Sequence, residues 1–329
     1  MFYDVHLLRE TMGLVGLPVV SFVAGLVYFY EFRKLVARAQ HRRGPYMLLP
    51  PDLRKLLGSS RLWQQLYDIL KLWHKQTIIP ASARKELFVI SPVVALICAI
   101  VSTWFLVIPG IASPLGGIPL SVILVFIVLF FIPVFWVLGA ASSGSPWACV
   151  GARREADLLL AYEIASVSSI ISVAVLAGDL TVAGIVERQQ IPYLLLNPLA
   201  AAAFFVSLLG KLHLKPFDIP EANVEIVAGP FTEYSGKLLA LCEISRVVLL
   251  FSLAGLFVDL FLAGGWASTT LLGTIAFFAL VAVVVFFLAL VSAAMPRYRI
   301  DQAVRFYTRL ALVLSALALA WSVTYAIMI

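Results

Sequence analysis

Long apolar segments alternate with shorter polar segments along the whole chain. Each apolar segment has about 20 residues, which lets a helix cross the ~30 Å hydrocarbon core of a bilayer. The segments lack the alternating apolar and polar positions that mark the strands of an outer-membrane barrel. The pattern predicts an all-α, polytopic integral membrane protein, a single membrane domain over residues 1–329 with about eight transmembrane helices. The predicted spans are Met12–Tyr30, Leu87–Ile108, Ile118–Leu138, Leu158–Gly178, Tyr193–Leu212, Leu238–Leu262, Thr269–Ala294 and Phe306–Ile327.

The composition excludes an ordinary soluble domain, because 62% of the residues are hydrophobic, 13% are charged and the mean hydropathy is +1.01. The 3 cysteines and 4 histidines lie far apart, with neither zinc nor iron–sulfur spacing. The sequence has no nucleophile–base triad, phosphate loop or dinucleotide fingerprint. We therefore expect no catalytic centre, no metal and no cofactor in this chain.

Basic residues set the expected orientation in the membrane. Most of the 24 Lys and Arg residues follow the first, third, fifth and seventh predicted spans. The positive-inside rule makes these loops cytoplasmic, which predicts a multi-pass protein of the cytoplasmic (inner) membrane with both termini on the outer side. The net charge of +6 is this topology signal, with attraction to anionic lipid. It requires no nucleic-acid partner.

An acidic segment, residues 213–237, separates two apolar spans and carries Asp218, Glu221, Glu225 and Glu233. Local spacing predicts a short helix with Asp218 as N-cap, Glu221 in the capping-box position and a Gly-Pro pair as the stop. Helical spacing then places Asp218, Glu221 and Glu225 on one face. The segment is either an acidic loop hydrated by headgroup water or a row of proton-exchanging or cation-binding groups.

The most polar segment, residues 31–86, predicts a basic cytoplasmic loop. Within it, Leu62–Lys75 places apolar residues on one helical face and polar residues on the other. This stretch is too short and too polar to span a bilayer, so it predicts an amphipathic helix at the interface. The helix either lies on lipid or braces a cytoplasmic partner.

Charges inside predicted spans are candidate functional groups, because insertion of a charge costs roughly 2.5–3.5 kcal/mol at the centre of a membrane helix. Glu163 lies inside the fourth span, and Arg153 and Arg154 precede it. The plainer explanation for Glu163 is a hydrogen bond to a neighbouring helix. Glu243 and Arg246 in the sixth span are spaced to pair on one helical face, either as a functional pair or as an intrahelical salt bridge.

The fifth span is interrupted by Asn197-Pro198. A broken helix frees backbone carbonyls, and in transporters such breaks mark ion sites. A packed kink is the simpler interpretation, and we favour it.

The acidic segment also carries a long motif, PFDIPEAxxEIVxGPxTEYSG, at residues 216–236. This motif is similar to the signature loop of the H-type membrane subunit of respiratory complex I. It resembles even more the equivalent subunit of group 4 energy-converting, membrane-bound nickel–iron hydrogenases, including the formate hydrogenlyase and hydrogenase-4 types. Further matches are a QxRxGP pattern, an acid–base pair in the amphipathic helix and an Arg-x8-Glu spacing. These matching residues are Gln40, Arg42, Gly44, Pro45, Asp68, Lys71, Arg154 and Glu163.

The resemblance implies a membrane anchor that docks a hydrogenase large subunit and an iron–sulfur small subunit on the cytoplasmic side, beside antiporter-like membrane subunits. The nickel–iron centre and the iron–sulfur clusters would then belong to the partners. Partner docking would involve Gln40, Gly44, Pro45, Asp68 and Lys71. A chain of buried acids would couple electron transfer to proton or sodium translocation through Glu163, Asp218, Glu221, Glu225, Glu233 and Glu243. Its charge partners would be Arg42, Arg153, Arg154 and Arg246.

The chain departs from the complex I pattern in places. Arg246 stands where complex I subunits carry Glu, which favours the hydrogenase branch, and Asn223 stands where many relatives have an acid. Extra residues before Asp68, and Gln76 in place of Glu, argue against quinone binding. The alternatives are a quinone-chamber subunit of complex I (NADH-quinone oxidoreductase), a free-standing cation transporter and a purely structural anchor.

Overall fold

The computed structural model describes residues 2–45, 61–263 and 271–328, without the side chains of residues 2–12, 223 and 224. The first two residues of the seventh predicted span, residues 46–60 of the basic loop and the side chain of Asn223 lie outside the described residues. The described part is helical throughout and has no strand. Its helices are α1 (Phe2–Ala39), α2 (Gln64–His74), α3 (Lys85–Thr103), α4 (Ser121–Ser142), α5 (Pro146–Ala177), α6 (Val182–Arg188), α7 (Tyr193–Leu196), α8 (Pro198–Lys211), α9 (Asn223–Ile226), α10 (Gly236–Phe257), α11 (Leu271–Ala294), α12 (Ile300–Phe306) and α13 (Leu312–Met328). Single π-helical turns, Val258–Leu262 and Tyr307–Ala311, extend α10 and join α12 to α13.

The prediction of an all-α polytopic membrane protein is confirmed. Within the described residues, 7 helices are long and apolar enough to cross a membrane, and Pro198–Lys211 is a shorter apolar helix. The fifth predicted span is therefore α7 and α8 together, broken at Asn197. The break follows from Pro198, which disfavours helical backbone at the residue before it.

Asn197 shows that this break is a packed kink. Its side-chain oxygen accepts the N–H of Ala200 (3.0 Å) and so caps α8. Its side-chain nitrogen donates to Ala318 O (2.8 Å) and Ser322 Oγ (2.9 Å) on α13. The amide side chain therefore satisfies one N–H that the break leaves without a helical partner and connects the break to α13.

Two helices are longer than the apolar pattern predicts. α1 continues to Ala39, so the first part of the predicted basic loop is helical. α5 begins at Pro146 rather than at Leu158, because proline is favoured in the first helical turn. The hydropathy pattern stopped at the charged residues of this first part of α5, although several of them are buried or paired in the fold.

α10 is the centre of the bundle. The apolar stretch of this helix and its π-helical extension is 89% buried, and α1, α2, α3, α8 and α11 pack around it. α1 approaches α10 closely at Gly25, where a Cβ atom would lie 2.4 Å from Val247 O. Small residues allow such close helix contacts in membrane proteins. Glu243 and Arg246, which lie on α10, are thus held within the bundle, whereas Lys237 at its start is exposed.

The stretch predicted to form an amphipathic helix contains α2. Its Ile69 is buried against Leu26 of α1 and Ala240 and Val247 of α10. The apolar face of α2 therefore covers this chain's own spans, while Trp73 at its end is exposed.

The polar loops meet at one end of the bundle, which we call the basic end. Backbone hydrogen bonds connect Arg84 N to Ser142 O (2.9 Å) and Tyr298 N to Pro216 O (3.0 Å). The acidic segment is folded tightly into this end. A Cβ atom at Gly229, whose φ is +53°, would lie 1.7 Å from Pro220 O, so only glycine fits there.

The helix in the acidic segment is shorter than predicted. Only Asn223–Ile226 is α-helical there, so Asp218 is not its N-cap and the acids do not share one helical face. The close packing around Gly229 turns the chain back on itself, and cations on different elements attract the separate carboxylates. Asp218 pairs with Arg297 (2.6 Å) and Glu225 with Arg154 (2.7 Å).

Candidate functional site

A polar cavity of about 460 Å³ opens at the basic end, and we call it the chamber. α1, α2, α10 and the segment after α8 supply its walls. Its apolar lining includes Phe29, Phe32, Leu72 and Trp136, and its polar lining is Arg33, Gln65, Asp68, Lys211, His213, Glu221, Glu243 and Arg246.

Arg246 organises the inner end of the chamber. Its guanidinium contacts Glu221 and donates to Glu243 Oε1 at 3.2 Å. The same group stacks 4.2 Å from the ring centroid of Phe231. Burial raises the pKa of Glu221, but Arg246 and His213 outweigh it and hold that pKa at about 2. The spacing of Glu243 and Arg246 predicted a pair, and the pair is present.

Gln65 extends this network toward the mouth of the chamber. Its side-chain nitrogen donates to Glu243 Oε2 (3.1 Å), and its oxygen accepts from Arg33 NH1 (3.0 Å). Arg33 also lies 3.9 Å from Asp68 Oδ2. Burial raises the pKa of Asp68, opposed by Arg33 and Lys71. Gln65 is buried, although the amphipathic pattern placed it on the polar face of α2.

His213 carries the network into the bundle. Its Nδ1 lies 2.5 Å from Glu221 Oε1, and its Nε2 lies 2.9 Å from Glu155 Oε2. Glu155 is fully buried in α5 and accepts a hydrogen bond from Tyr162 OH (3.0 Å). Burial lowers the pKa of His213, but Glu155 and Glu221 outweigh it and raise that pKa to about 10. The ring is therefore an imidazolium between carboxylates.

Glu163 pairs with Lys211 of the chamber wall, on the side toward the interior of the bundle. Its Oε1 accepts a hydrogen bond from Lys211 Nζ at 2.6 Å, and both side chains are buried. The ammonium of Lys211 also lies over the rings of Phe126 (5.3 Å) and Tyr162 (5.7 Å). These rings flank the ammonium, and both charged side chains of the pair are almost completely buried.

Not every predicted site residue reaches the chamber. Glu225 is exposed in its pair with Arg154, so it lies apart from the buried acids. Asp218 pairs with Arg297, and burial raises its pKa against that arginine. Glu233 is half-buried and makes no ion pair within the described ranges.

The predicted docking residues lie on the outside of the basic end. Gln40, Arg42, Gly44 and Pro45 line an open cleft of about 380 Å³ together with Arg33 and Gln64. Asp68, Lys71, Arg42 and Arg153 are exposed. The cleft lies beside the chamber, since Phe32 and Arg33 line both.

Sequence reasoning missed Glu155, Lys211, His213 and the buried Asp259 of the π-helical turn after α10. Asp259 accepts the N–H of Val107 at 2.9 Å. Glu155 was assigned to a cytoplasmic loop, where charges are usually solvated, and Lys211 lies at the end of the fifth predicted span. An available signal was the helical spacing of Glu155 and Glu163, since residues eight apart lie about 80° apart around a helix and can share one broad face. The histidines were considered only as possible metal ligands. The position of His213 next to the acidic motif was therefore not used as evidence.

Comparisons with known proteins agree with this architecture. The NADH dehydrogenase family profile matches residues 11–323. The H-type subunit of NADH-quinone oxidoreductase from Dehalococcoides mccartyi (strain CBDB1) is 32% identical, over 94% of this chain and 84% of the relative. An H-type subunit of the same enzyme from Geobacter metallireducens is 34% identical, over 91% of this chain and 90% of the relative.

A solved structure shares the fold. A chain of the membrane-bound sulfane sulfur reductase, an archaeal respiratory membrane complex, superimposes with a TM-score of 0.82 at 26% identity. The match covers 95% of this chain and 99% of that chain. By its sequence and its helices, the present chain belongs to the NADH dehydrogenase family and, within it, to the H-type group of membrane subunits.

Proposed function

We propose that this chain is the membrane anchor and ion-coupling subunit of a complex I-like respiratory complex. An electron-transfer module docks on the basic end, and antiporter-like membrane subunits continue the ion path within the bilayer. Membership of the H-type group supports the general role. The observation that carries the coupling role is the continuous series of contacts between ionisable or amide side chains from Arg33 to Glu155.

Arg246 gives this series a way to respond to charge. It is shared between Glu221 and Glu243, so a small displacement changes how much positive charge each acid faces. A new charge in the docked module shifts nearby pKa values by units in a poorly hydrated site. When Arg246 moves toward Glu243, the pKa of Glu221 rises from about 2 and the acid takes up a proton.

We assign the docked module to the nickel–iron hydrogenase type. The nickel–iron centre and iron–sulfur clusters belong to a large and a small partner subunit, and this chain holds no cofactor. The motif of residues 216–236 and the presence of Arg246 in the chamber support the assignment. The cleft beside Gln40, Gly44 and Pro45 is the docking surface, with Asp68 and Lys71 exposed nearby. The transported ion is a proton or a sodium ion.

The proposed location is the cytoplasmic membrane with the basic end inside. The loops that meet there carry most of the basic residues, as the positive-inside rule requires of cytoplasmic loops. Both termini then lie on the outer side.

Quinone binding is a second candidate, favoured by the size of the chamber. A cavity of about 460 Å³ lies within the range of small-molecule sites, and aromatic side chains form part of its wall. The relatives named as components of NADH-quinone oxidoreductase agree with this candidate. Quinone in the purified complex, together with sensitivity to quinone-site inhibitors, would support it over the hydrogenase assignment.

The test begins with gentle purification of the chain and mass spectrometry of the subunits that accompany it. A nickel–iron large subunit and an iron–sulfur small subunit are expected. The complex is then placed in liposomes, and ion uptake and dye-linked hydrogen turnover are measured for Glu163→Gln and Glu221→Gln. Both variants should lose ion uptake and keep dye-linked turnover. Glu86→Gln, an exposed change of the same chemistry at the basic end, should keep both.

Other outcomes would overturn the proposal. Ion uptake that survives both substitutions would show that these acids are not the route. Ion flux through the purified chain alone would identify a free-standing transporter. Loss of assembly without any change in the coupling of assembled complexes would identify a structural anchor.

A further inference from the structure

We propose that His213 carries protons one at a time between Glu221 at the chamber wall and Glu155 inside α5. This inference rests on the proposed function and names the residue through which the chamber communicates with the bundle interior. Neither the family resemblance nor the sequence pattern pointed to this histidine.

The placement of the ring supports the proposal. Its two nitrogens face different carboxylates, Nδ1 toward Glu221 (2.5 Å) and Nε2 toward Glu155 (2.9 Å). Both distances lie within reach of proton transfer; the Nδ1 contact is a hydrogen bond, whereas the Nε2 contact is an ion pair that needs a small realignment to become one. Imidazole is the side chain that binds a proton on one nitrogen and releases one from the other.

The backbone at His213 gives independent support. Its φ is +50°, a left-handed conformation that is uncommon for residues other than Gly but in which His, Asn and Asp are enriched. His213 follows the end of α8, and its N–H donates to Gly210 O at 3.0 Å. Glycine or asparagine is the usual choice at such a position. The backbone thus places the imidazole at the end of α8, directly before the segment that carries Glu221.

The surroundings hold the ring between its two acids. Trp136 of α4 packs edge-on against it, with ring centroids 5.4 Å apart. From α5, Tyr162 OH donates to Glu155, and from α10, Arg246 reaches the ring only through Glu221. Asp218, in the same segment as Glu221, adds negative charge near the ring. Lys211 lies two residues earlier and pairs with Glu163, away from the ring.

The proposed transfer takes place in steps that conserve the number of protons and the total charge. The imidazolium of His213 gives the proton on Nε2 to the carboxylate of Glu155, which leaves a neutral ring and a neutral acid. A half turn about the Cβ–Cγ bond brings the bare Nε2 to the former position of Cε1, between the two acids, where it can accept a proton from Glu221, and the reverse half turn later restores the starting arrangement. A proton that has arrived on Glu221 then passes to this nitrogen and restores the imidazolium and the Glu221 carboxylate. One proton has moved from the chamber to Glu155, with no change in the number of electrons.

Chemical rescue tests this step, because His213 lines an open chamber that admits small molecules. The assembled complex with His213→Gly is placed in liposomes. Glycine suits the left-handed backbone and leaves a space the size of the lost ring. Ion uptake should fall about a hundredfold or more, the scale of losing a positioned acid–base group, while dye-linked turnover continues. Added imidazole should restore part of the uptake, with a pH profile that shifts when a less basic imidazole is used.

His213→Asn provides a second variant that suits the same backbone and keeps a hydrogen-bonding side chain. It should assemble, keep dye-linked turnover and lose ion uptake. His74→Asn is the matched control, since His74 is exposed on α2 and should tolerate the change. Uptake by either His213 variant at the unmodified rate, or a loss that imidazole does not repair, would overturn the relay.

The experiment distinguishes a failure of proton transfer through His213 from a failure of the proposed function. If Glu163→Gln and Glu221→Gln abolish uptake while His213→Asn does not, the coupling role stands and the relay is wrong. If the unmodified complex moves no ions during turnover, the proposed function itself fails.

Discussion

The chamber and the Glu163–Lys211 pair both hold acids inside the bundle, yet they do so in different ways. In the chamber, Glu221 contacts Arg246 and His213 together, and Arg246 is shared with Glu243. Glu163 has Lys211 as its charge partner, and aromatic rings enclose that partner. The chamber is open, whereas the pair is almost completely buried.

The difference bears on how each region responds to charge. A network with several partners can redistribute protons, because one contact replaces another. A buried pair has no replacement partner, so removal of one charge leaves the other uncompensated. The chamber is therefore suited to responding to a redox event, and the pair is suited to holding one defined state until a proton reaches it.

The largest effect is expected from Lys211→Met. This change leaves the Glu163 carboxylate without its cation, and breaking a buried pair in this way costs about 3–5 kcal/mol. The double variant Glu163→Gln, Lys211→Met should recover most of the loss, since neither side chain then carries a charge. Thermal unfolding of the purified complex measures both. Equal stability of the single and double variants would show that the pair is hydrated in the membrane.

A smaller effect should appear as pH dependence on the chamber side. The pKa of His213 is raised in the fold to about 10, against about 6.5 in an unfolded chain. Its contribution to stability is therefore fully present below about pH 6.5 and is lost as the pH rises toward 10. The unfolding midpoint of the unmodified complex should fall more over this range than that of His213→Asn. Parallel curves for the two proteins would contradict the raised pKa.

The smallest effect is expected at the surface pair of Arg154 and Glu225. The two side chains lie 2.7 Å apart, but Glu225 is 54% exposed and solvent screens the attraction. Glu225→Gln should change the free energy of unfolding by less than about 1 kcal/mol. A loss as large as that of Lys211→Met would mean that a partner subunit covers this pair in the complex.

The prediction of spans succeeded where side chains face lipid or an apolar neighbour. The stretch from Ser121 to Ser142 shows this, because its helix requires no information beyond the length of the apolar run. The break at Asn197-Pro198 could also be predicted, since proline restricts the backbone conformation of the residue before it. Helix starts were less predictable. The first turns of α5 contain charges that a hydropathy pattern assigns to water, although Glu155 is fully buried among partners from other segments.

The acidic segment shows the limit of local rules. Capping-box spacing at Asp218 and Glu221 predicted a helix, but the cations that these acids contact are Arg297 and Arg246, far away in the chain. A salt bridge to a distant element, together with the tight turn at Gly229, outweighed local helix preference.

The sequence by itself determined the class of the protein, the positions of nearly all its spans, its amphipathic helix and its family, because these follow from hydropathy, spacing and a long motif. Only the tertiary structure decided which charges meet. It brought His213 between Glu221 and Glu155, and Lys211 onto Glu163, by packing α8 against α5. The reason is physical: a charge is tolerated inside the bundle only where a partner from another helix lies within a few ångströms, and no local pattern records that distance.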